Sequence, residues 1–167
     1  MSVALIAIGS NLAAPGYDDP VAGCEAALKA LEMQDIRIAR RSAWYRSAPV
    51  PASDQPDFVN GLAVAETTAD AVGLLAALHR VEDRFGRRRS VPNAARTLDL
   101  DLIDLDGLVR SGPDAPLLPH PRLRDRAFVL LPLAEIVPGW RHPVTGECVE
   151  AMVAALGEGQ CCCLIPS

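Results

Sequence analysis

Two consecutive segments decide the fold class of this chain: LLAALHRVEDRFG, from Leu74 to Gly86, and LDLDLIDL, from Leu98 to Leu105. In the first segment, apolar residues recur with the 3.6-residue period of a helix, and Gly86 stands where a C-terminal cap belongs. In the second, leucines and aspartates alternate with the two-residue period of a strand. The pair predicts a helix and a strand joined by a polar loop over residues 87–97.

Earlier segments extend this pattern towards the N-terminus. Residues 3–8 are apolar and predict a buried strand that ends in a Gly-Ser-Asn turn. Asp19 and Pro20 predict the N-cap and the first position of a helix that continues to about Met33. Residues 36–45 and 58–67 predict two further strands, separated by a proline-rich loop.

The resulting order, β-α-β-β-α-β, predicts an α+β fold of the ferredoxin-like βαββαβ type. Such a fold is a sandwich in which an antiparallel sheet carries its helices on one face. Residues 128–136 and 149–156 predict two further helical runs, which would be C-terminal additions. We expect a single domain over residues 1–167.

The composition excludes several classes of protein. The chain has 167 residues, of which 50% are apolar and 22% charged, with a formal net charge of −5. These values are typical of a globular chain, and the acidic balance gives no indication of nucleic-acid binding. The apolar runs are too short for a signal peptide or a membrane span, and the five cysteines match neither a disulfide framework nor a CxxC site. We expect a cytoplasmic protein with reduced thiols and no membrane or nucleic-acid partner.

Asp99 and Asp101 alternate with leucines and therefore lie on one face of the predicted strand. Two such carboxylates are about 7 Å apart at the backbone and can converge on a hard cation. An edge strand with a solvated acidic face would show the same pattern. On spacing alone, both interpretations remain open.

Arginines are concentrated directly before these aspartates, at Arg87, Arg88, Arg89 and Arg96. Guanidinium groups bind phosphate in a bidentate manner and stay charged. Carboxylates for Mg²⁺ beside arginines for phosphate suit phosphoryl transfer, although a solvated basic loop is the alternative. The chain has no P-loop and no dinucleotide-binding glycine motif, so a nucleotide would be held by arginines and metal.

Five segments occur in an order that carries a family resemblance: AIGSNL (7–12), QPDFVN (55–60), RTLDLD (96–101), PH (119–120) with R-x-F (126–128), and PLAEI (132–136). Together they resemble the 6-hydroxymethyl-7,8-dihydropterin pyrophosphokinases, enzymes of folate biosynthesis. The resemblance covers about residues 5–143. It implies the same ferredoxin-like fold and a monomeric, Mg²⁺-dependent enzyme that transfers the terminal pyrophosphate of ATP to the pterin hydroxymethyl group, giving AMP.

The resemblance also implies roles for the polar residues. Asp99 and Asp101 would hold two Mg²⁺ ions along the triphosphate, and Arg87 and Arg96 would contact phosphates during the reaction. The other residues implied to bind the nucleotide are His120 and Arg126 at the phosphates, with Glu82 and His79 at the base. From its position alone, His79 is also explained as an ordinary surface residue of a helix, and His120 is distinguished only by its flanking prolines.

For the pterin, the resemblance implies two stacking rings and a polar edge. Phe58 and Phe128 would sandwich the bicycle, and the Asn60 amide would pair with its donor–acceptor edge. Backbone groups of Ser47, Ala48 and Val50 would reach the same edge. Core packing of Phe58 in a strand is the alternative.

The chain departs from the family pattern at Asn93-Ala94-Ala95, where relatives usually carry a Trp-Gly-Pro run. We expect the loop over residues 87–97 to be mobile and to close over ATP; because the aromatic contact is missing, we expect its closure to be weaker than in relatives or to use other residues. Two other functions fit the residues: a ferredoxin-like module that binds a small ligand without catalysis, and a pyrophosphokinase for another hydroxymethyl heterocycle.

Overall fold

A computed structural model describes residues 1–88 and 92–167 and contains one six-stranded antiparallel sheet and four α-helices. The strands are β1 (Ser2–Ser10), β2 (Arg37–Arg41), β3 (Tyr45–Ser47), β4 (Phe58–Thr67), β5 (Asp99–Leu105) and β6 (Cys162–Leu164). The helices are α1 (Pro20–Glu32), α2 (Ala71–Arg84), α3 (Ala127–Ile136) and α4 (Val149–Ala154). In the described part of the chain, no helix has the length and apolar character needed to cross a membrane.

The sheet confirms the ferredoxin-like prediction. Its strands run in the order β5-β1-β4-β3-β6, and β2 also pairs with β4. Every pairing is antiparallel. Strands β1 and β4 lie in the middle of the sheet and pair with a neighbouring strand on both sides. Strands β4 and β5, which carry the predicted site residues Asn60, Asp99 and Asp101, lie on either side of β1.

Side-chain caps begin the two helices that connect these strands. The Asp19 carboxylate accepts a hydrogen bond of 2.8 Å from the amide of Ala22, and Asp70 accepts one of 2.7 Å from Gly73. Such caps satisfy amides that the first turn of a helix leaves unpaired. Both α1 and α2 pack on the sheet face that carries Leu98, Leu100 and Leu102, as the alternation in β5 predicts.

The strand predicted over residues 36–45 is wrong in one respect, because the structure divides it into β2 and β3. The break is at Ser42, whose hydroxyl accepts a 2.9 Å hydrogen bond from the amide of Leu62. Trp44 then packs over Gly61, where an added Cβ would lie 2.6 Å from the indole ring. A side-chain acceptor and a large ring therefore interrupt a stretch whose residue types favour a continuous strand.

The second face of the sheet is covered in part by the predicted C-terminal additions, whereas the two helices of the βαββαβ unit pack on the first face. Helices α3 and α4 form a separate apolar cluster with Leu5, Leu62, Val64 and Ile103. They cover only part of this face. At the end of the sheet where α3 begins, the face is open, and this is the face that carries Asp99 and Asp101.

Candidate active site

Strand register brings the predicted metal and pterin residues side by side. Gly9 of β1 pairs with Asn60 of β4 on one side and with Asp99 of β5 on the other. Ala7 is opposite Asp101 in the same way. A Cβ at position 9 would lie 3.3 Å from the Asn60 amide oxygen, so the residue between the two functional side chains has to be small. The row therefore forms a shallow floor with an amide at one edge and a carboxylate at the other.

A cavity of about 460 Å³ lies above this floor. This volume is within the range of small-molecule sites. Ten of the predicted site residues line it: Ser47, Ala48, Val50, Phe58, Asn60, Arg96, Asp99, Asp101, Arg126 and Phe128. Apolar rings and loop residues lie towards β3 and β4, and charged groups lie towards β5, so the cavity has an apolar half and an ionic half.

The Asp99 carboxylate is clasped by two arginines. Arg87 donates to Oδ1 at 2.5 Å, and Arg96 donates to Oδ2 at 2.8 Å. Behind this pair, Arg87 also donates to the buried carboxylate of Glu82 at 2.9 Å. Charge-assisted hydrogen bonds of this kind are stronger than neutral ones. Asp99 is therefore held as an anion at a fixed place on the cavity wall.

Asp101 has a different environment although it lies on the same strand face. Burial and the negative charge of Asp99 raise the pKa of Asp101 to about 6. Arg126 lies close to it, with Nη1 at 3.7 Å from Oδ2. Two neighbouring carboxylates repel each other when both are ionised, and a cation bound between them removes this repulsion. The pair therefore favours cation binding.

The two aspartates fit a magnesium site. Within residues 1–88 and 92–167, no group of three or more His, Cys, Asp or Glu side chains is placed to hold a metal. Mg²⁺ typically takes only one or two carboxylates and completes its shell with water and substrate phosphates. Asp99 and Asp101 supply that donor set on one face of β5.

Asn60 is a polar side chain within the otherwise apolar half of the cavity. Its side-chain nitrogen donates to the Ser47 hydroxyl at 2.7 Å, and both residues are buried. This bond fixes the orientation of the amide. Phe58 lies on the same strand face, whereas Phe128 comes from the first turn of α3, and both rings are half-buried at the cavity. A flat heterocycle between two such rings is well stacked.

The remaining predicted residues lie outside the cavity lining. Glu82 is 2% exposed, and its carboxylate accepts a 3.0 Å hydrogen bond from the Leu100 amide, so it supports Arg87 from inside the core. His79 is exposed on α2. The roles of these two residues at the nucleotide base stay predictions. Arg89 and part of the expected closing loop lie outside the described residues, since the structure omits 89–91.

His120 lies close to the ionic half and is neutral. Its Nδ1 accepts a 3.1 Å hydrogen bond from the amide of Arg122, which leaves the proton on Nε2. Burial, and then the positive charges of Arg126 and Arg122, lower the pKa of His120 to about 4. The ring therefore offers an N–H donor rather than a charge.

We expect His120 to remain neutral, in this tautomer, from pH 8 down to about pH 5. Because its pKa in the folded protein is below the unfolded value, protonation favours unfolding, and stability falls as the pH drops from about 6.5 towards 4. Titration of the imidazole ¹⁵N signals by NMR measures this directly. A midpoint near the ordinary histidine value of about 6.5 would contradict the prediction.

A polar network that sequence reasoning did not assign links the loops around the cavity. Asn11 accepts a 2.8 Å hydrogen bond from the amide of Arg96 and donates to Gln55 at 3.0 Å. Gln55 in turn donates to the carbonyl of Asn93. Asn11 and Gln55 both fall in segments that resemble family motifs, and that was the only signal for them. Gln160, which also lines the cavity, lies in a region without any such signal.

Comparison with known proteins agrees with the fold and the geometry of the site. The family model described as 7,8-dihydro-6-hydroxymethylpterin-pyrophosphokinase (HPPK) matches residues 5–138. The chain is 37% identical over 155 residues to the 2-amino-4-hydroxy-6-hydroxymethyldihydropteridine pyrophosphokinase of Pseudomonas aeruginosa, covering 92% of each chain. It is 39% identical over 137 residues to the enzyme of that name from Haemophilus influenzae, covering 81% and 82%.

Solved structures agree at the level of the fold. The chain is similar to the wild-type HPPK-DHPS of Plasmodium falciparum crystallised with pteroate, with a TM-score of 0.71 at 12% identity. The match covers 92% of this chain and 44% of that one, so the chain spans less than half of that protein. On the family match and the two bacterial relatives, the chain belongs to the 7,8-dihydro-6-hydroxymethylpterin-pyrophosphokinase family.

Proposed function

We propose that the protein transfers the pyrophosphoryl group of ATP to the hydroxymethyl group of 6-hydroxymethyl-7,8-dihydropterin, in folate biosynthesis. The hydroxymethyl oxygen loses its proton to solvent and forms a bond to the β-phosphorus, the bond from that phosphorus to the α,β-bridging oxygen breaks, and AMP leaves with that oxygen. The observation that carries the proposal is the row Asn60–Gly9–Asp99, in which a side-chain amide on β4 and a carboxylate bound by two arginines on β5 lie on either side of β1.

Arginines would hold the triphosphate. Arg96 and Arg126 line the ionic half of the cavity, and Arg87 lies against Asp99 behind them. In the structure, both oxygens of Asp99 accept hydrogen bonds from Arg87 and Arg96. A triphosphate offers these guanidinium groups more negative acceptors, so we expect them to transfer to phosphate and leave the carboxylate available.

Asp99 and Asp101 are the residues that would hold two Mg²⁺ ions. Bound there, magnesium would neutralise charge on the phosphates and lower the pKa of the attacking hydroxyl group. The protein contributes alignment, because both reactants lie over one floor within a single cavity, and such positioning supplies much of the rate in phosphoryl transfer. The neutral Nε2–H of His120 would donate to a phosphate oxygen.

On the pterin side, the Asn60 amide and the backbone of residues 47–50 would read the polar edge of the ring. Phe58 and Phe128 would stack on its two faces. We further propose that the protein acts as a monomer. We also propose a single domain and a cytoplasmic location for the protein.

The experiment that tests the function is measurement of AMP release from ATP, with and without 6-hydroxymethyl-7,8-dihydropterin. AMP release that depends on the dihydropterin and on Mg²⁺, with formation of the pterin diphosphate, supports the proposal. Binding of the dihydropterin without AMP release would favour the non-catalytic module. AMP release only with another hydroxymethyl heterocycle would favour the third alternative.

Replacement of Ser47 by alanine is expected to weaken pterin binding. The Ser47 hydroxyl fixes the Asn60 amide, and without it the amide can rotate away from the pterin edge. Loss of one hydrogen bond of about 1 kcal/mol corresponds to a rise in the pterin KM of roughly fivefold. Steady-state kinetics measures this, with Ser111→Ala as a surface control. An unchanged pterin KM in Ser47→Ala would contradict the proposal that Ser47 holds the Asn60 amide in the orientation that pairs with the pterin.

A further inference from the structure

The C-terminal segment from Gln160 to Leu164, here called the C-terminal strap, contacts both walls of the cavity. Its strand, β6, pairs with β3, and Cys162 is opposite Ser47. Gln160 lines the cavity itself, beside the start of α3. The strap lies beyond residue 138, where the match to the family model ends. The strap therefore joins two walls of the cavity, one formed by β3 with Ser47 and the other by the start of α3 with Phe128. It lies in a part of the chain that the family model does not match.

Gln160 makes two hydrogen bonds to the backbone where α3 begins. Its Oε1 accepts from the amide of Ala127 at 2.8 Å, and its Nε2 donates to the carbonyl of Asp125 at 2.7 Å. Arg126, the N-cap residue of α3, makes no side-chain capping bond. Helix N-termini leave amides that need an acceptor, and here the acceptor comes from a residue 33 positions away in the chain.

The two bonds span the segment that carries the candidate ligand-binding groups of this wall. Arg126 lies between the two bonded residues and places its guanidinium over the ring of Phe128, 5.4 Å from the centroid. Phe128 follows Ala127 directly. A shift of the 125–127 backbone would therefore move the stacking ring and the arginine together, whereas Arg87 and Arg96 are attached elsewhere.

We infer that Gln160 is a positioning residue that fixes Phe128 and Arg126 at the cavity, and that the C-terminal strap sets the distance between the two walls of the pterin site. This inference rests on the proposed function. A glutamine suits the position because its amide both accepts and donates. Glutamate keeps the acceptor for Ala127 and loses the donor to Asp125, and methionine keeps the length of the side chain and loses both.

The test compares Gln160→Met and Gln160→Glu with Glu158→Ala, an exposed control in the same segment. We expect Gln160→Met to raise the pterin KM about tenfold, since both hydrogen bonds to the start of α3 are lost. The ATP KM should rise less, because Arg87, Arg96 and His120 still hold the triphosphate. Gln160→Glu should fall between wild type and Gln160→Met. Glu158→Ala should behave as wild type.

A second readout does not depend on activity. Amide hydrogen exchange at Ala127, measured by NMR, should be faster in Gln160→Met than in wild type and close to wild type in Gln160→Glu, which keeps the cap. Unchanged exchange at Ala127 in Gln160→Met, or a pterin KM equal to that of wild type, would overturn the inference. Failure of the proposed function is distinguishable, since wild-type protein would then release no AMP while the exchange at Ala127 could still be measured.

Discussion

Asp99→Asn and Asp101→Asn are both expected to lower turnover by about 10³-fold or more, yet to change folding stability in opposite directions. The common loss follows from the proposed chemistry: each substitution removes an anionic donor proposed to bind Mg²⁺, and charge neutralisation is a main contribution to phosphoryl transfer. The opposite effects on stability follow from their different neighbours.

Asp99 accepts hydrogen bonds from Arg87 and Arg96, so an amide there removes an anionic partner from both guanidinium groups, although Arg87 keeps the Glu82 carboxylate. We expect a loss of about 1–2 kcal/mol in the free energy of unfolding, at the lower end of values for charged hydrogen bonds because Asp99 and Arg96 are partly exposed. Arg87, which is more buried, contributes most of this loss.

Asp101→Asn should stabilise the protein by about 1 kcal/mol at pH 7, or 2–4 °C in Tm, because it removes a carboxylate that is destabilised by burial and by Asp99. The pKa of Asp101 is about 6 in the folded protein, above the ordinary aspartate value of 3.8. Its ionised form therefore favours unfolding, and this destabilisation develops as the pH rises from about 4 to 6. The gain in Asp101→Asn should vanish below about pH 4.

Thermal unfolding at pH 7 and pH 4, together with AMP release, measures these effects. Asp114→Asn, on an exposed loop, serves as the control. Near-normal turnover in both variants would remove the magnesium assignment. Equal shifts in Tm of the same sign would contradict the difference in environment between Asp99 and Asp101.

Arg96→Ala is expected to lower kcat by about 10³-fold with little change in the pterin KM. Arg96 lines the ionic half of the cavity, and a guanidinium that contacts the transferred group is worth this much when charge develops in the transition state. Arg96 is a cleaner test than Arg87, whose loss would leave the buried carboxylate of Glu82 without this partner.

Two controls accompany Arg96→Ala in the same assay. Arg124→Ala removes an arginine that pairs with Glu147 and lies outside the cavity lining, and it should retain wild-type kcat. Arg96→Lys keeps the charge but not the fork of donors and should recover only part of the rate. A kcat for Arg96→Ala within tenfold of wild type would show that Arg96 is not at the transferred group.

Local patterns predicted most of the fold. Alternation of leucine and aspartate in β5 predicted which face is buried, and Asp19 caps α1 as the Asp-Pro sequence predicts. The division of β2 from β3 could not be predicted, because it depends on Ser42 replacing a backbone acceptor and on Trp44 meeting Gly61 across the sheet. These are contacts between residues about 20 positions apart.

The candidate site was predictable where its residues fall in family-like segments and not elsewhere. Asn60 and the two aspartates lie together because strand register brings them there, and register is not visible in any one segment. The structural role of Glu82 could not be predicted either. Its spacing on α2 does not indicate that its carboxylate accepts hydrogen bonds from the Leu100 amide and from Arg87. Gln160 is exposed and follows no periodic pattern, so its contact with α3 was undetectable.

The two aromatic rings of the cavity come from different layers of the molecule. Phe58 lies on β4 of the sheet, whereas Phe128 lies on α3. The position of α3 on the sheet depends on core residues such as Leu62 and Leu133. Because interiors are close-packed, a change of one methylene group in that core can shift a helix by a fraction of an ångström. Substitutions in the core that contact no substrate can therefore change the spacing of the two rings. During evolution, the size of heterocycle that fits between them can change in this way, so selectivity depends partly on the hydrophobic core.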